Sequence, residues 1–148
     1  MTTDRLAFFS SMRALFRSPR MSDLKIIELK AHLPAKDLEL SKRFYEDLGF
    51  CVAWGNENMA QLVCSGHSFL LNNFYVKEFA ENLQMHLLVD DVDAWWQRVQ
   101  DKQIVARYGQ NGVTPEPPEL RPWGLRDFVL QDPAGVLWRI AQEEPAGT

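Results

Sequence analysis

The sequence predicts an α+β domain of two consecutive βαβββ modules, whose mixed sheets curve into an open cup. Three observations predict it. A strand-to-helix junction at Asp37 recurs 54 residues later at Asp91. Each junction opens an amphipathic helix that is followed by short strand segments, and self-similarity of this kind marks a repeated supersecondary unit. The 148 residues, 46% apolar and 24% charged, suit one globular domain.

The elements follow in order. Lys25 to Leu33 alternates roughly between apolar and polar residues, as a half-buried strand does, and Pro34 ends it. Asp37 then caps a helix in which Leu40, Phe44 and Leu48 repeat every four residues, with Gly49 as its stop. Strands are predicted at Phe50 to Trp54, Met59 to Cys64 and Ser68 to Asn73, separated by Asn56-Glu57-Asn58 and Ser65-Gly66. The second module repeats the plan: a strand over Leu83 to Val89, a helix over Asp91 to Lys102, and a strand over Ile104 to Tyr108. A loop with Pro115, Pro117, Pro118 and Pro122 leads to strands at Asp127 to Leu130 and Val136 to Ala141, joined by the turn Asp132-Pro133-Ala134-Gly135. On Trp95-Trp96, helical spacing sends one ring onto the sheet and leaves the other half exposed or at a subunit contact.

Residues 1–20 carry Arg5, Arg13, Arg17 and Arg20 against Asp4, a local charge of +3, so the other 12 basic and 19 acidic side chains sum to −7. An acidic body argues against nucleic acid as the partner and favours cationic ligands. Residues 1–21 read as a basic extension ahead of the domain at 22–142, whose modules span 22–76 and 80–142, with 143–148 as a tail. Leu6, Phe9, Met12 and Phe16 could share a surface-seeking helical face, but a fortuitous extension upstream of Met21 is the simpler reading, and membrane contact of residues 1–20 is not expected. Cys51 and Cys64 form no CxxC pair and no disulfide framework, so a cytoplasmic location is expected. No apolar run approaches the roughly 20 residues that span a bilayer. A GxSxG elbow and a Gly-rich phosphate loop are both lacking, which removes the usual signatures of nucleophilic and nucleotide chemistry.

The run His32-Leu33-Pro34-Ala35-Lys36-Asp37-Leu38, followed by Arg43-Phe44-Tyr45-Glu46-Asp47-Leu48-Gly49-Phe50, resembles the first module of the vicinal oxygen chelate superfamily, which joins glyoxalases, bleomycin-resistance proteins and extradiol dioxygenases. Pro122-Trp123-Gly124, Phe128 and Asp132-Pro133-Ala134-Gly135 resemble the close of its second module, so the likeness covers roughly residues 24–142. It implies paired βαβββ modules assembled as a homodimer, with pockets near the subunit interface. In the enzymes of that superfamily, His and Glu side chains from four strands hold a divalent metal. The matching positions here are Lys30, Gln84, Arg139 and a residue within Leu70-Leu71-Asn72, with Leu71 expected. Lys and Arg have no lone pair to give and Leu has no donor, so this set does not suit a divalent ion.

The Leu-Pro-Ala-Lys-Asp-Leu opening, the Pro-Trp-Gly loop and Arg139 are most similar to the bleomycin-resistance branch, whose members sequester a cationic drug and perform no chemistry. The resemblance implies a metal-free binding protein for a small aromatic or amphiphilic molecule, antibiotic sequestration included, with no cofactor. Trp123 matches a groove aromatic of that branch, and Trp54 stands where a groove Phe is usual. The expected ligand-binding set is Trp123, Trp54, Arg139, His32, His86, Gln84, Lys30 and Leu71. Core packing is the alternative for each Trp, and an ion pair with Glu28 the alternative for Arg139, which beside Lys30 would otherwise make a cationic floor for a carboxylate or phosphate. A second reading is a metal-dependent lyase, isomerase or dioxygenase. His32 and His86 lie 54 residues apart and share side-chain parity with Lys30 and Gln84, so they could form a displaced metal site with a third ligand such as Cys64 or Asn73. His67 follows Gly66 in a turn and is expected to be exposed.

Overall fold

Two aspartates start the two long helices. The Asp37 carboxylate accepts the Leu40 amide at 3.1 Å and begins α1 (Leu38–Leu48), and Asp91 accepts the Ala94 amide at 3.1 Å and begins α3 (Val92–Asp101). Both caps have extended backbones, as N-caps do. Gly49 ends α1 at φ 131°, where a side chain would be strained, and its amide returns to the Tyr45 and Glu46 carbonyls. The computed structural model describes residues 23–109 and 114–144. The expectations for residues 1–21 and for the end of the tail lie outside those residues.

The first module contains β1 (His32–Pro34), β2 (Cys51–Gly55), β3 (Met59–Cys64) and β4 (His67–Asn72) around α1. A short helix α2 (Lys77–Asn82) leads to β5 (Gln84–Leu88), then α3, a short helix α4 (Ile104–Tyr108), β6 (Glu119–Leu120), β7 (Leu125–Gln131) and β8 (Leu137–Glu143). The strands form two four-stranded sheets, ordered β1-β4-β3-β2 and β5-β8-β7-β6. In each, the first strand of the module pairs in parallel with the last (β1 with β4, β5 with β8), while the other pairs are antiparallel. The α+β class and the module repeat are therefore as the sequence predicts.

Four elements differ. The first strand is only His32–Pro34 rather than Lys25 to Leu33, and Leu24, Ile26, Ile27 and Leu29 are 74–91% exposed. Alternation alone cannot make a strand, because a strand exists only where an edge pairs with it. Ile104–Tyr108 is a helix rather than a strand. Its i, i+4 spacing sends Ile104 into the core and Tyr108 onto Phe44 at 5.4 Å, with the Tyr108 hydroxyl on Asp47, so tertiary packing overrides the β-branched preference of Ile and Val. The edge strand of the second module is instead the brief Glu119–Leu120, within the Pro-rich stretch read as a loop. The helix α2 was not expected either; Ala80 is its buried residue.

The core lies where α1 meets both sheets. Phe44, Tyr45 and Leu48 are fully buried, and Tyr45 packs edge-on against Phe50, Phe69 and Trp138. Tyr45 also joins the modules through polar groups. Its hydroxyl donates to Asp132 at 2.5 Å and accepts from the Trp138 indole at 2.8 Å. The other Asp132 oxygen accepts the Ala134 and Val136 amides, each at 2.9 Å, which shapes the turn between β7 and β8. Burial pushes the Asp132 carboxyl up to about 6, and it also lifts the Tyr45 hydroxyl well above its ordinary range, with the Asp132 charge adding to the effect. Of the paired tryptophans, Trp95 packs near Phe50 and Trp96 at 5.2 Å from Phe128, so both rings are partly buried.

Candidate functional site

Strand alternation gives each sheet a core face and an open face. In the first sheet Leu33, Leu71, Phe69, Ala60 and Leu62 are buried, so their strand neighbours lie on the open side. One row of register partners crosses that open side: His32, Leu70, Gln61 and Trp54. The Trp54 indole donates to Gln61 at 2.5 Å, and His32 hydrogen-bonds Asn72 at 3.2 Å. A register shift between Val52 and Trp54 places Trp54 on this face, leaving it 45% exposed. The equivalent row of the second sheet runs His86, Arg139 and Val129. Gln84 is on the same face of β5, two residues before His86.

Beyond that row stands the hairpin joining β6 to β7. The Gly124 amide returns to the Arg121 carbonyl at 3.0 Å, and Gly124 has φ 89°, a turn conformation that favours glycine. This turn carries Trp123 at its tip, 61% exposed. The Arg139 guanidinium lies 5.8 Å from the Trp123 ring centroid, within cation–π range. Beneath it, the fully buried Asp127 accepts from Arg139 at 2.9 Å and from the Arg121 Nε at 2.8 Å, and Arg121 also reaches Glu119. The buried carboxylate is thus paired on both oxygens, as a charge removed from water must be.

The structure therefore places the expected residues unequally. Gln84, His86, Arg139 and Trp123 come together on the second sheet and its hairpin, and His32 and Trp54 share the open face of the first. Leu71 is a correction: it is fully buried in the core, and Leu70 is the residue beside His32, as Arg139 is beside His86. Lys30 precedes β1 and pairs with Glu28, whereas the partner of Arg139 is Asp127 rather than Glu28. Asp127, the buried partner of Arg121 and Arg139, is the residue of this candidate site that the sequence alone did not reveal. Its signal was an acid at an alternating strand position between Arg121 and Arg139, readable only once the register is known.

The two histidines lie on different sheets, His32 on β1 and His86 on β5. His86 lines a cavity of about 310 Å³ with His67, Ser68, Phe69 and Trp138, and His32 is not among its lining residues. His67 is exposed, as expected for a residue at that turn. The positions that the resemblance matches to the enzymes' metal ligands carry a paired lysine, an amide, a leucine and an arginine bound to Asp127, and this donor set does not fit a divalent ion. Among the described residues, no group of three or more His, Cys, Asp and Glu side chains is arranged to hold one.

A family model described as the Glyoxalase/Bleomycin resistance protein/Dioxygenase superfamily matches residues 27–140, and the chain belongs to that superfamily. Among solved structures it is similar to a bleomycin-binding protein complexed with bleomycin, at 24% identity and TM-score 0.65 over 80% of this chain and 100% of that one. It is also similar to TnmS3, an antibiotic-binding protein from Streptomyces sp. CB03234, at 26% identity and TM-score 0.64 over 82% and 99% of the two chains. A lactoylglutathione lyase from Agrobacterium tumefaciens shares the fold at 17% identity and TM-score 0.57, over 80% and 95%. No curated protein sequence matches the chain. The scaffold is thus shared by binders and enzymes, and function has to be read from the site.

Proposed function

We propose that this chain binds a small aromatic or amphiphilic molecule, an antibiotic being the leading case, without a metal ion, as a homodimer in the cytoplasm. The observation that carries the reading is Trp123: a large ring held out at a hairpin tip and braced from behind by Arg139 and the buried Asp127. Rings held in place this way offer stacking area at low entropic cost. Trp54, held by Gln61, gives the first sheet a comparable surface, and His32, His86 and Gln84 supply polar groups to orient a ligand. The poor fit of the donor set to a divalent ion favours binding over metal chemistry. Likeness to bleomycin- and antibiotic-binding proteins supports the ligand class. The two free cysteines, Cys51 and Cys64, agree with a reducing compartment. The test is titration of the purified protein with metal-free bleomycin in the presence of a chelator, followed by tryptophan fluorescence. A saturable change is expected; a flat response across a panel of planar antibiotics, or stoichiometric metal in the purified protein, would discard the reading.

The dimer is supported by the segment before β1. Ile27 and Leu29 are in frame with the fully buried Leu33, so continuing the strand would turn them toward the core side, yet they are 91% and 88% exposed. Contiguous exposed apolar residues of this kind mark association surfaces. Light scattering is expected to give the mass of two chains, and the double variant Ile27→Asp/Leu29→Asp that of one. A wild-type monomer at micromolar concentration would remove the dimer from the proposal.

A further inference from the structure

We infer that Asp127 sets the charge selectivity of the Trp123 wall, by cancelling the positive charge that stands behind the ring. The inference rests on the stacking role of Trp123 proposed above. A cation placed over one face of an indole draws on the ring's negative quadrupole and repels a second cation on the opposite face. Alone, the Arg139 guanidinium would therefore make the free face of Trp123 a poor surface for a cationic guest and a better one for an anionic guest. It is not alone. Asp127 accepts from Arg139 at 2.9 Å and from Arg121 at 2.8 Å, and Glu119 contacts Arg121 at 3.3 Å. Two guanidinium groups and two carboxylates sum to zero charge, so the ring stands on a neutral base.

Burial makes Asp127 the deciding member of the four. It is fully buried, whereas Arg121 and Arg139 are each 31% exposed and Glu119 is 69% exposed. Glu119 is the most exposed of the four and so the most screened, which leaves Asp127, in direct contact with Arg139, as its stronger counter-ion. A guest stacked on the free face would lie roughly 9 Å from the guanidinium, the ring-to-cation distance plus an ordinary stacking separation. At that range an uncompensated unit charge changes affinity by about twofold at the dielectric of water and about twentyfold at the effective dielectric near a protein surface. The structure thus assigns to Asp127 a preference for neutral or cationic planar guests, which a bare Arg139 would reverse.

The test uses two planar dyes of opposite charge, proflavine as the cation and anilinonaphthalene sulfonate as the anion. Each is titrated against the full chain, Trp123→Ala, Asp127→Asn and Arg139→Gln, at one neutral pH. Wild type is expected to favour proflavine, and Trp123→Ala to weaken both dyes. Asp127→Asn is expected to lower the cation-to-anion affinity ratio by at least about fourfold, the square of the effect on either dye alone, and Arg139→Gln to raise it. A merely structural role would weaken both dyes together and leave the ratio alone. Should Asp127→Asn fail to fold, Arg139→Gln still reads the same charge from the other side. Ratios within twofold of wild type in the folded variants, with binding still dependent on Trp123, would overturn this inference and spare the proposed function. Binding that ignores Trp123 would overturn both.

Discussion

Replacing Asp132 with Ala is expected to lower the unfolding free energy by about 3–5 kcal/mol, the cost of breaking a buried charged network on one side. The carboxylate accepts from the Tyr45 hydroxyl and from the Ala134 and Val136 amides, so its loss strands three buried donors at once. It also loosens the tie between α1 and the turn before β8. Chemical denaturation measures the effect, and a loss under about 1 kcal/mol would mean that water or a rearranged turn replaces the carboxylate. The same group gives a pH signature. Its folded-state value of about 6 lies above the ordinary 3.8, so the folded state holds the proton more tightly than the unfolded chain. Stability from this group is then fullest below pH 3.8 and declines as pH rises toward 6, by roughly 3 kcal/mol in all. Asp132→Asn should flatten that decline. Parallel wild-type and variant stability curves across this window would show that Asp132 titrates normally.

Trp123→Ala is expected to weaken metal-free bleomycin binding by at least about tenfold, the usual cost of truncating an aromatic anchor. Stability should change by no more than about 0.5 kcal/mol, because the ring is 61% exposed at a hairpin tip. That separation of affinity from stability is the diagnostic feature, and Trp123→Phe should retain most of the binding. An unchanged dissociation constant in Trp123→Ala would show that the ligand is held elsewhere, with Trp54 the next surface to test.

Much of the fold was legible before any coordinates. The Asp37 and Asp91 caps, the Gly49 stop, β3 at its observed bounds and the repeat that relates the modules all follow from local chemistry. The errors fall where local preference and tertiary context disagree. Ile104–Tyr108 is β-branched at its start yet helical, because α1 offers it a packing surface at Phe44 and Asp47. Lys25 to Lys30 alternates like a strand, yet the bonding to β4 begins only at Ala31, whose carbonyl accepts the Leu70 amide at 2.9 Å. Of the proposed site, Trp123, Trp54, Gln84 and Arg139 were recognisable as residue types at family positions, and His86 through the 54-residue repeat that pairs it with His32. Leu71 was placed one residue off, and in a strand one residue exchanges core for open face.

What the sequence determined by itself, then, is whatever depends on neighbours within a few positions: caps, turn glycines, the period of each helix, and the 54-residue repeat that pairs Asp37 with Asp91. The tertiary structure alone decided which distant groups meet. Asp127 finds Arg139 across β7 and β8, and Tyr45 finds Asp132 and Trp138 from another module. Such contacts depend on strand register and module packing, and these arise from burial summed over the whole core, which no local window of residues contains.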